Sequence, residues 1–380
     1  MSKLQDAQPA YTYDDFVLVP VYSDIKSRKD PDISTHVPNF QYDIPIVSAP
    51  MNTVTEADML VTMSQLGGVG VLHRYMSVED QLAITKEVYA RLSDAGHLGV
   101  GSFPPTGTEP FYVAVGANGD FKERVKRLHK VGVKGFCVDV ANGHNVHCLK
   151  AVEEIRRLVP DARIMAGNVC SFDGAYRLAE AGCNSIRVGV GPGAVCTTRQ
   201  ITGHGVPQLS AIEDCTRIKS PQEYGWTGRG TEQDYAKKAF PEVAIIADGG
   251  IRKPGDIVKA LAIGADAVMI GSMLAGCQET PGDYIEEGDR LFKYYHGMAS
   301  EEGREKWFDK SKVGLPSEGV SKKVPYVGRK ASKIINGLCQ SIKVGLSYSG
   351  ARDIRELREK AIWMRQTGNG YSEGTPHGKM

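Results

Sequence analysis

Short, continuous apolar segments recur along most of the chain and are separated by longer amphipathic segments. An apolar run of about four to eight residues is typical of a strand buried on both faces, as in a parallel sheet covered by helices. Apolar positions spaced three and four residues apart predict helices. The predicted strands are residues 44–50, 69–72, 112–116, 135–140, 162–169, 185–190, 243–250 and 267–272. The predicted helices are residues 56–66, 78–95, 121–131, 146–159, 172–181, 254–263 and 354–365.

Strands that alternate with helices in this way predict an α/β fold, a (β/α)8 barrel, as one domain over residues 1–380. An open doubly wound sheet is the alternative, but no GxGxxG motif follows the first predicted strand. Residues 202–239 interrupt the pattern as an insertion. The remaining boundaries predicted are an N-terminal arm at 1–43, a barrel core at 44–293, a mobile active-site flap at 294–327 and a polar tail at 366–380.

Polar residues and glycines follow several of the predicted strands, where a (β/α)8 barrel carries its active site. They include Asp139, the pair Asp248 and Gly249, and the pair Gly271 and Ser272. The loops after the last two strands of such barrels often bind phosphate. We therefore expect a phosphorylated ligand at these glycines, although tight strand–helix turns alone would also use them.

A glycine-rich loop after the sixth predicted strand ends on Cys196. Its glycines, Gly189, Gly191 and Gly193, permit unusual backbone angles and can aim carbonyl oxygens at a cation. A single cysteine is by itself more typical of an inert apolar residue. Its place among the polar residues of one rim favours a nucleophile.

Composition excludes some classes of protein. The net charge of +1 gives no electrostatic reason to expect nucleic acid or an anionic membrane as a partner. No apolar run approaches the roughly 20 residues that span a bilayer, and the N-terminus lacks an apolar secretion signal. The eight cysteines are scattered without a CxxC pair, which argues against a zinc site or a disulfide framework. A cytoplasmic location is the expectation.

Seven motifs together resemble those of the IMP dehydrogenase/GMP reductase family, over nearly the whole chain and without room for a CBS module. They are YDDF (13–16), APMNTVT (49–55), DVANGH (139–144), AGNV (166–169), GPGAVCTTR (191–199), ADGG (247–250) and YHGM (295–298). The resemblance implies the same barrel and redox chemistry on a purine nucleotide monophosphate, GMP or IMP, in a homotetramer. Cys196 would form a covalent thioimidate with C2 of the purine.

The resemblance also implies roles for individual residues. Cys196, Thr198 and Glu318 would be catalytic, and the carbonyls of Gly191, Gly193 and Cys196 would bind K+. Nucleotide contacts would come from Asp248, Gly249, Gly250, Gly271, Ser272, Gly297, Met298, Ala299 and Gly319. Cofactor contacts would come from Ser27, Arg28, Arg74, Asp139, Val140, Ala141 and Asn142. Simpler interpretations remain for some: Asp248 as a helix N-cap, and Ser27, Arg28 and Arg74 as solvated polar residues.

Two reactions occur in this family, and the sequence carries features of both. No Arg-Tyr pair of the kind that activates water in dehydrogenases lies between Gly297 and Glu318; residues 306–308, Lys-Trp-Phe, are the nearest likeness. The spacing of 21 residues from Gly297 to Glu318 resembles that of reductases and is several residues short of typical dehydrogenases; with Glu318 it favours GMP reductase with NADPH. Leu315 replaces an arginine common in reductases, which puts the contacts to the 2′-phosphate of the cofactor in doubt. Residues 46–51, 246–251, 270–272 and 368–377 look more like IMP dehydrogenase. A CBS-less IMP dehydrogenase that uses NAD, or a non-catalytic nucleotide-binding barrel, remain the alternatives.

Overall fold

Eight parallel strands form a closed barrel in the computed structural model, which describes residues 7–96, 109–220, 238–302, 316–326 and 328–376. The first and last barrel strands, Ile46–Ser48 and Ala267–Ile270, pair in parallel and close it. The (β/α)8 prediction is therefore confirmed. The strands in chain order are β1 Phe16–Leu18, β2 Ile46–Ser48, β3 Val69–Leu72, β4 Phe111–Val115, β5 Gly135–Asp139, β6 Arg163–Val169, β7 Ser185–Val188, β8 Ala244–Asp248, β9 Ala267–Ile270, β10 Ile285–Glu287, β11 Arg290–His296, β12 Ser321–Tyr326 and β13 Trp363–Arg365, of which β2–β9 form the barrel.

The barrel strands are buried on both faces, which explains their continuous apolar runs. In β4, Tyr112 and Ala114 pack in one apolar cluster, whereas the alternate residues Phe111, Val113 and Val115 pack in another. The smaller cluster fills the barrel and the larger one lies between the barrel and its helices.

Helices cover the outside of the barrel, and several begin at side-chain caps. Ser77, Asn145 and Ser171 each accept hydrogen bonds from backbone amides of the first turn that follows. The helices in the described ranges are α1 Ala57–Gln65, α2 Val78–Asp94, α3 Phe121–Lys130, α4 Val146–Leu158, α5 Phe172–Glu180, α6 Thr198–Thr202, α7 Gln208–Thr216, α8 Pro254–Ala262, α9 Ala331–Tyr348, α10 Ile354–Lys360 and α11 Gly368–Glu373. None of these is long and apolar enough to cross a membrane.

Two covering helices lie in segments that the sequence pattern did not assign to the barrel. Helix α7 packs on β7 and β8, so the predicted insertion 202–239 contains a regular barrel helix, while residues 221–237 fall outside the described ranges. Helix α9 packs on α8 and α1 and completes the helical ring. It lies beyond the 44–293 range predicted for the core, although its buried residues keep helical spacing: Ala331, Ile335, Leu338, Ile342 and Leu346.

The predicted helix 354–365 is wrong at its C-terminal end. Helix α10 stops at Lys360, and Ala361 adopts an extended backbone. The strand β13 follows and pairs antiparallel with β1 of the N-terminal arm, with Trp363 opposite Leu18. Trp363 also packs edge-on against Phe16, with ring centroids 6.1 Å apart. The pairing with a distant segment overrides the local helical pattern.

The two ends of the predicted flap at 294–327 belong to a sheet in the described residues. Strands β10, β11 and β12 form a three-stranded antiparallel sheet, in which β11 and β12 pair from Leu291–Tyr326 to His296–Ser321. This pairing brings residues 316–320, which precede β12, next to the barrel rim. Residues 306–308 and Leu315, which bear on the choice between the two reactions, lie outside the described residues.

A buried carboxyl group lies at the opposite end of the barrel, just before β4. Glu109 is 6% exposed, and its Oε2 has no hydrogen-bond partner among the described residues. Burial raises the pKa of Glu109 to about 7, although Lys134 and Arg163 act in the opposite direction. The folded protein therefore holds a proton there that the unfolded chain loses near pH 4.5.

Glu109→Gln is expected to stabilise the protein above neutral pH. Because the folded state binds the extra proton, stability falls as pH rises from about 4.5 to 7, and glutamine removes that loss. The gain at pH 8 should be about 1–3 kcal/mol, a rise in Tm of a few degrees, and should vanish below pH 4.5. Thermal unfolding at pH 4 and pH 8 measures it, with the exposed Glu123→Gln as control. An unchanged or lower Tm at pH 8 would contradict the expectation.

Candidate active site

A cavity of about 550 Å³ opens at the C-terminal ends of the barrel strands. Its walls include the loops that follow β5, β7, β8 and β9, together with residues 297–299 and Glu318 of the flap. Most of the residues predicted from the sequence line it: Asp139, Val140, Ala141, Gly191, Gly193, Cys196, Thr198, Asp248, Gly249, Gly250, Gly271, Ser272, Gly297, Met298, Ala299 and Glu318. The residues predicted to lie along one rim of the barrel therefore line a single cavity.

The loop that carries Cys196 is held close to its neighbours by glycine. Gly189 has φ +147°, and a Cβ there would lie 2.1 Å from the carbonyl oxygen of Asp248. Gly191 has φ +85°, and its Cβ would lie 2.5 Å from Cγ of Arg199. Substitution at either position would force the backbone or the packed side chain to move.

Cys196, Thr198 and Glu318 form a hydrogen-bonded line inside the cavity. The thiol of Cys196 donates to Thr198 Oγ1 over 3.2 Å, and the Thr198 hydroxyl donates to Glu318 Oε2 over 2.8 Å. All three side chains are half-buried. The line offers a path for a proton from the thiol, through the hydroxyl, to the carboxylate.

Backbone hydrogen bonds fix Glu318 against the cysteine loop. The amide of Thr197 donates to the carbonyl of Glu318 over 2.9 Å, and the amide of Glu318 donates to the carbonyl of Ala299 over 3.1 Å. Gly319 forms a β-bridge with Cys196 and so supports the site without lining the cavity. The carboxylate, 120 residues away in sequence, therefore reaches Thr198 from a fixed backbone.

A buried arginine that the sequence analysis did not select joins two walls of the cavity. Arg187 Nη1 lies 2.5 Å from Asp139 Oδ1, and its Nη2 lies 2.8 Å from Asp248 Oδ2. Burial alone would lower the pKa of Arg187, but the carboxylates of Asp248 and Asp139 raise it well above its usual value. The signal in the sequence was the single charged residue of a buried strand.

The Asp248 side chain is fixed by hydrogen bonds from Arg187 and Asn168 and does not cap a helix. Asn168 Nδ2 donates to Asp248 Oδ2 over 2.8 Å, in addition to the bonds from Arg187. The N-cap of the following helix α8 is Lys253. The N-cap interpretation of Asp248 is therefore wrong, and its carboxylate is part of the cavity wall.

The two glycine loops predicted to bind phosphate lie on the same side of the cavity. Gly249 and Gly250 have φ +91° and +77°, conformations that favour glycine. Gly271 comes close to another wall residue, since a Cβ there would lie 3.1 Å from the hydroxyl oxygen of Tyr295. Tyr295 is hydrogen-bonded to Ser272, and burial raises its pKa. Such loops, one of them beside a tyrosine hydroxyl, suit a phosphate.

Four predicted cofactor residues do not line this cavity. Arg74 lines an adjoining cavity of about 190 Å³ and donates from Nε to the carbonyl of Asp139 over 3.1 Å. Asn142 is exposed and accepts a bond from the amide of His144. Ser27 and Arg28 lie elsewhere on the surface, where the Arg28 guanidinium stacks 5.3 Å from the ring of Tyr348. The structure thus brings Arg74 beside the site, but not the other three.

The model of the IMP dehydrogenase / GMP reductase domain matches residues 10–377. The inosine-5′-monophosphate dehydrogenase of Nitrosopumilus maritimus is 30% identical over an alignment of 485 residues, which covers 96% of this chain and 98% of the relative. That of Cryptosporidium parvum is 32% identical over 411 residues, with 96% and 94% covered. The crystal structure of a GMP reductase from Trypanosoma brucei, in complex with guanosine 5′-monophosphate, matches with a TM-score of 0.85 and 26% identity over 100% of both chains.

Proposed function

This chain belongs to the IMP dehydrogenase/GMP reductase family of oxidoreductases, and we propose that it is a GMP reductase, which converts GMP to IMP and ammonia with NADPH. The line from Cys196 through Thr198 to Glu318 carries the proposal. Expulsion of ammonia from the purine requires protons, and the line can carry one to the leaving group. The relative from Trypanosoma brucei, whose structure contains GMP, supports the same reaction.

The first step forms a bond between Cys196 Sγ and C2 of the guanine ring. The thiol proton passes through Thr198 to the Glu318 carboxylate, as the direction of the two hydrogen bonds allows. Glu318 then returns a proton through Thr198 to the exocyclic amino group, and the bond from C2 to nitrogen breaks as ammonia leaves. Nucleotide and enzyme remain joined as a thioimidate.

The second step reduces the carbon attached to Cys196. The nicotinamide of NADPH, when bound, supplies a hydride to C2. The bond from C2 to Sγ then breaks, which releases IMP and returns the cysteine as a thiolate. Over the whole reaction GMP, NADPH and two protons give IMP, NADP+ and ammonium.

The nucleotide is assigned to the loops after β8 and β9 and to residues 297–299. The phosphate is assigned to the loops at Gly249–Gly250 and Gly271–Ser272, and the ribose hydroxyls to the Asp248 carboxylate. Gly297, Met298 and Ala299 line the same cavity as Cys196 and would contact the base. Gly249 and Gly250, with positive φ, and Gly271 beside the Tyr295 hydroxyl fit an anionic group.

The cofactor is assigned to the wall formed by Asp139, Val140 and Ala141. The adjoining cavity at Arg74 would extend this site. Ser27 and Arg28 do not line the cavity of their own chain, so their contact with cofactor would have to be made in another copy. A homotetramer is part of the proposal; a molecular mass of one chain in light scattering would contradict it.

A K+ ion is assigned to the carbonyl oxygens of Gly191, Gly193 and Cys196. Hard cations prefer oxygen ligands, and the positive φ of Gly191 lets its backbone turn within the loop. The carbonyl oxygen of Gly193 also accepts a hydrogen bond from the amide of Cys196 over 3.1 Å. The second lone pair of that oxygen remains for a cation. Turnover that is equally fast in Na+ and K+ would remove this ion from the proposal.

IMP dehydrogenase is the second candidate, since the two relatives named above carry that name. That enzyme oxidises IMP with NAD and hydrolyses the same covalent adduct to XMP. It would leave Glu318 without a leaving ammonia to protonate. The difference between the two reactions can therefore be measured directly.

Absorbance at the nicotinamide band separates the two candidates. The purified protein in K+ buffer is given either GMP with NADPH or IMP with NAD. We expect the absorbance to fall with the first pair and to stay constant with the second. A rise with IMP and NAD would identify a dehydrogenase, and no change with either pair would favour a non-catalytic nucleotide-binding barrel.

A further inference from the structure

One buried guanidinium contacts carboxylates on two different walls of the cavity. Arg187 is 6% exposed and lies on β7, between Asp139 at the end of β5 and Asp248 at the end of β8. Its nitrogens are divided between them. Nη1 bonds to Asp139, whereas Nε and Nη2 both bond to Asp248 Oδ2, over 3.1 and 2.8 Å.

These bonds leave one oxygen of Asp248 for a ligand. Oδ2 accepts three hydrogen bonds, two from Arg187 and one from Asn168. No described residue donates to Oδ1, although Asp248 lines the cavity. A carboxylate held by one oxygen has a fixed rotamer, so its second oxygen has a fixed direction.

Asp139 is oriented in a comparable way. Arg187 bonds to Oδ1, and Arg74 Nε lies 3.8 Å from Oδ2, beyond hydrogen-bond distance. Asp139 also lines the cavity. The same guanidinium therefore sets the direction of both carboxylates.

We propose that Arg187 is a positioning residue for both ligands at once: it orients Asp248 towards the nucleotide ribose and Asp139 towards the cofactor. Naming the two ligands rests on the proposed function. The positioning itself rests on the fork of three hydrogen bonds. Lysine cannot replace it, because an ammonium group is a point charge that lacks the planar fork.

Arg187→Lys keeps the buried charge and tests the proposal. Iodoacetamide alkylation of Cys196, followed on its peptide by mass spectrometry, gives the concentrations of GMP and of IMP that protect half of the thiol. Both concentrations should rise on the order of tenfold to a hundredfold, and the cofactor KM should rise similarly. The alkylation rate without nucleotide should stay unchanged, because Arg187 makes no contact with the line from Cys196 to Glu318.

Arg91→Lys is the matched control. Arg91 also bridges two carboxylates, Asp58 at 2.9 Å and Glu87 at 3.0 Å, but it lies on the outer helix α2. Its replacement should change neither protection nor KM. If Arg187 has a purely structural role, the Tm of the Arg187→Lys variant should fall while nucleotide protection and the cofactor KM stay unchanged. That result would overturn the proposal.

A double-mutant cycle with Asp139→Asn separates the two arms. When Asp139→Asn is already present, Arg187→Lys should change the cofactor KM by less than about twofold and still weaken nucleotide protection as before. A full effect on the cofactor KM there, or an effect on only one ligand in the single variant, would overturn the double role. GMP and IMP share the ribose phosphate, so the measurement of nucleotide protection remains valid even if the protein oxidises IMP. The KM would then be measured for NAD instead of NADPH.

Discussion

Cys196→Ala is expected to abolish turnover while GMP and IMP still bind. Both reactions of the family pass through a covalent bond to this sulfur, so its removal stops the chemistry rather than slowing it. The loss should be on the order of 10⁴-fold or more, as for other enzymes that lose their nucleophile. The walls assigned to phosphate and ribose do not include the thiol, so nucleotide affinity should change little.

The other seven cysteines differ from Cys196 in position and environment. None of them lines the cavity described here. Burial raises the pKa of Cys137, Cys148 and Cys277 to about 12, which suppresses their thiolates at neutral pH. Cys339→Ala, on the outer helix α9, is the matched control and should retain full activity. Residual turnover in Cys196→Ala above about 1% of the parent rate would remove Cys196 as the nucleophile.

Glu318→Gln is expected to lower the rate of the GMP reaction by about 10²–10⁴-fold, the usual worth of a general acid–base group. Glutamine keeps the size of the side chain and can still accept a bond from Thr198. It cannot take up the thiol proton or return it to the leaving ammonia. The effect should fall on kcat, since Glu318 is not assigned to nucleotide binding.

Two further variants test whether Glu318 acts through Thr198. Thr198→Val removes the middle of the line, and its effect should not add to that of Glu318→Gln. Glu301→Gln alters an exposed carboxylate of the same segment and should leave kcat unchanged. Additive losses would show that Glu318 does not act through Thr198. A Glu318→Gln variant within threefold of the parent would make Glu318 a surface residue of the flap.

The barrel and most of the cavity wall could be predicted because each depends on short segments. Strands such as β4 are buried on both faces, so their apolar runs stand out from the helices between them. The chain then brings Cys196 and Asp248 to the same rim, since the ends of parallel strands in a closed barrel meet there. The prediction needed no knowledge of long-range contacts.

The features that were missed depend on such contacts. The strand β13 forms only because β1, over 340 residues away in sequence, offers its edge, and the local pattern there was helical. Arg187 is one charge in an apolar strand until the two carboxylates are brought beside it by the fold. Ser27 and Arg28 were selected by family resemblance alone, and the cavity of their own chain does not include them.

The most direct test of GMP reductase activity measures ammonia and NADPH in the same reaction. With GMP as substrate, we expect one ammonia released for each NADPH oxidised, with IMP as the product. The Cys196→Ala variant should release neither product. Formation of XMP and NADH from IMP and NAD, with no ammonia from GMP, would contradict the proposed function.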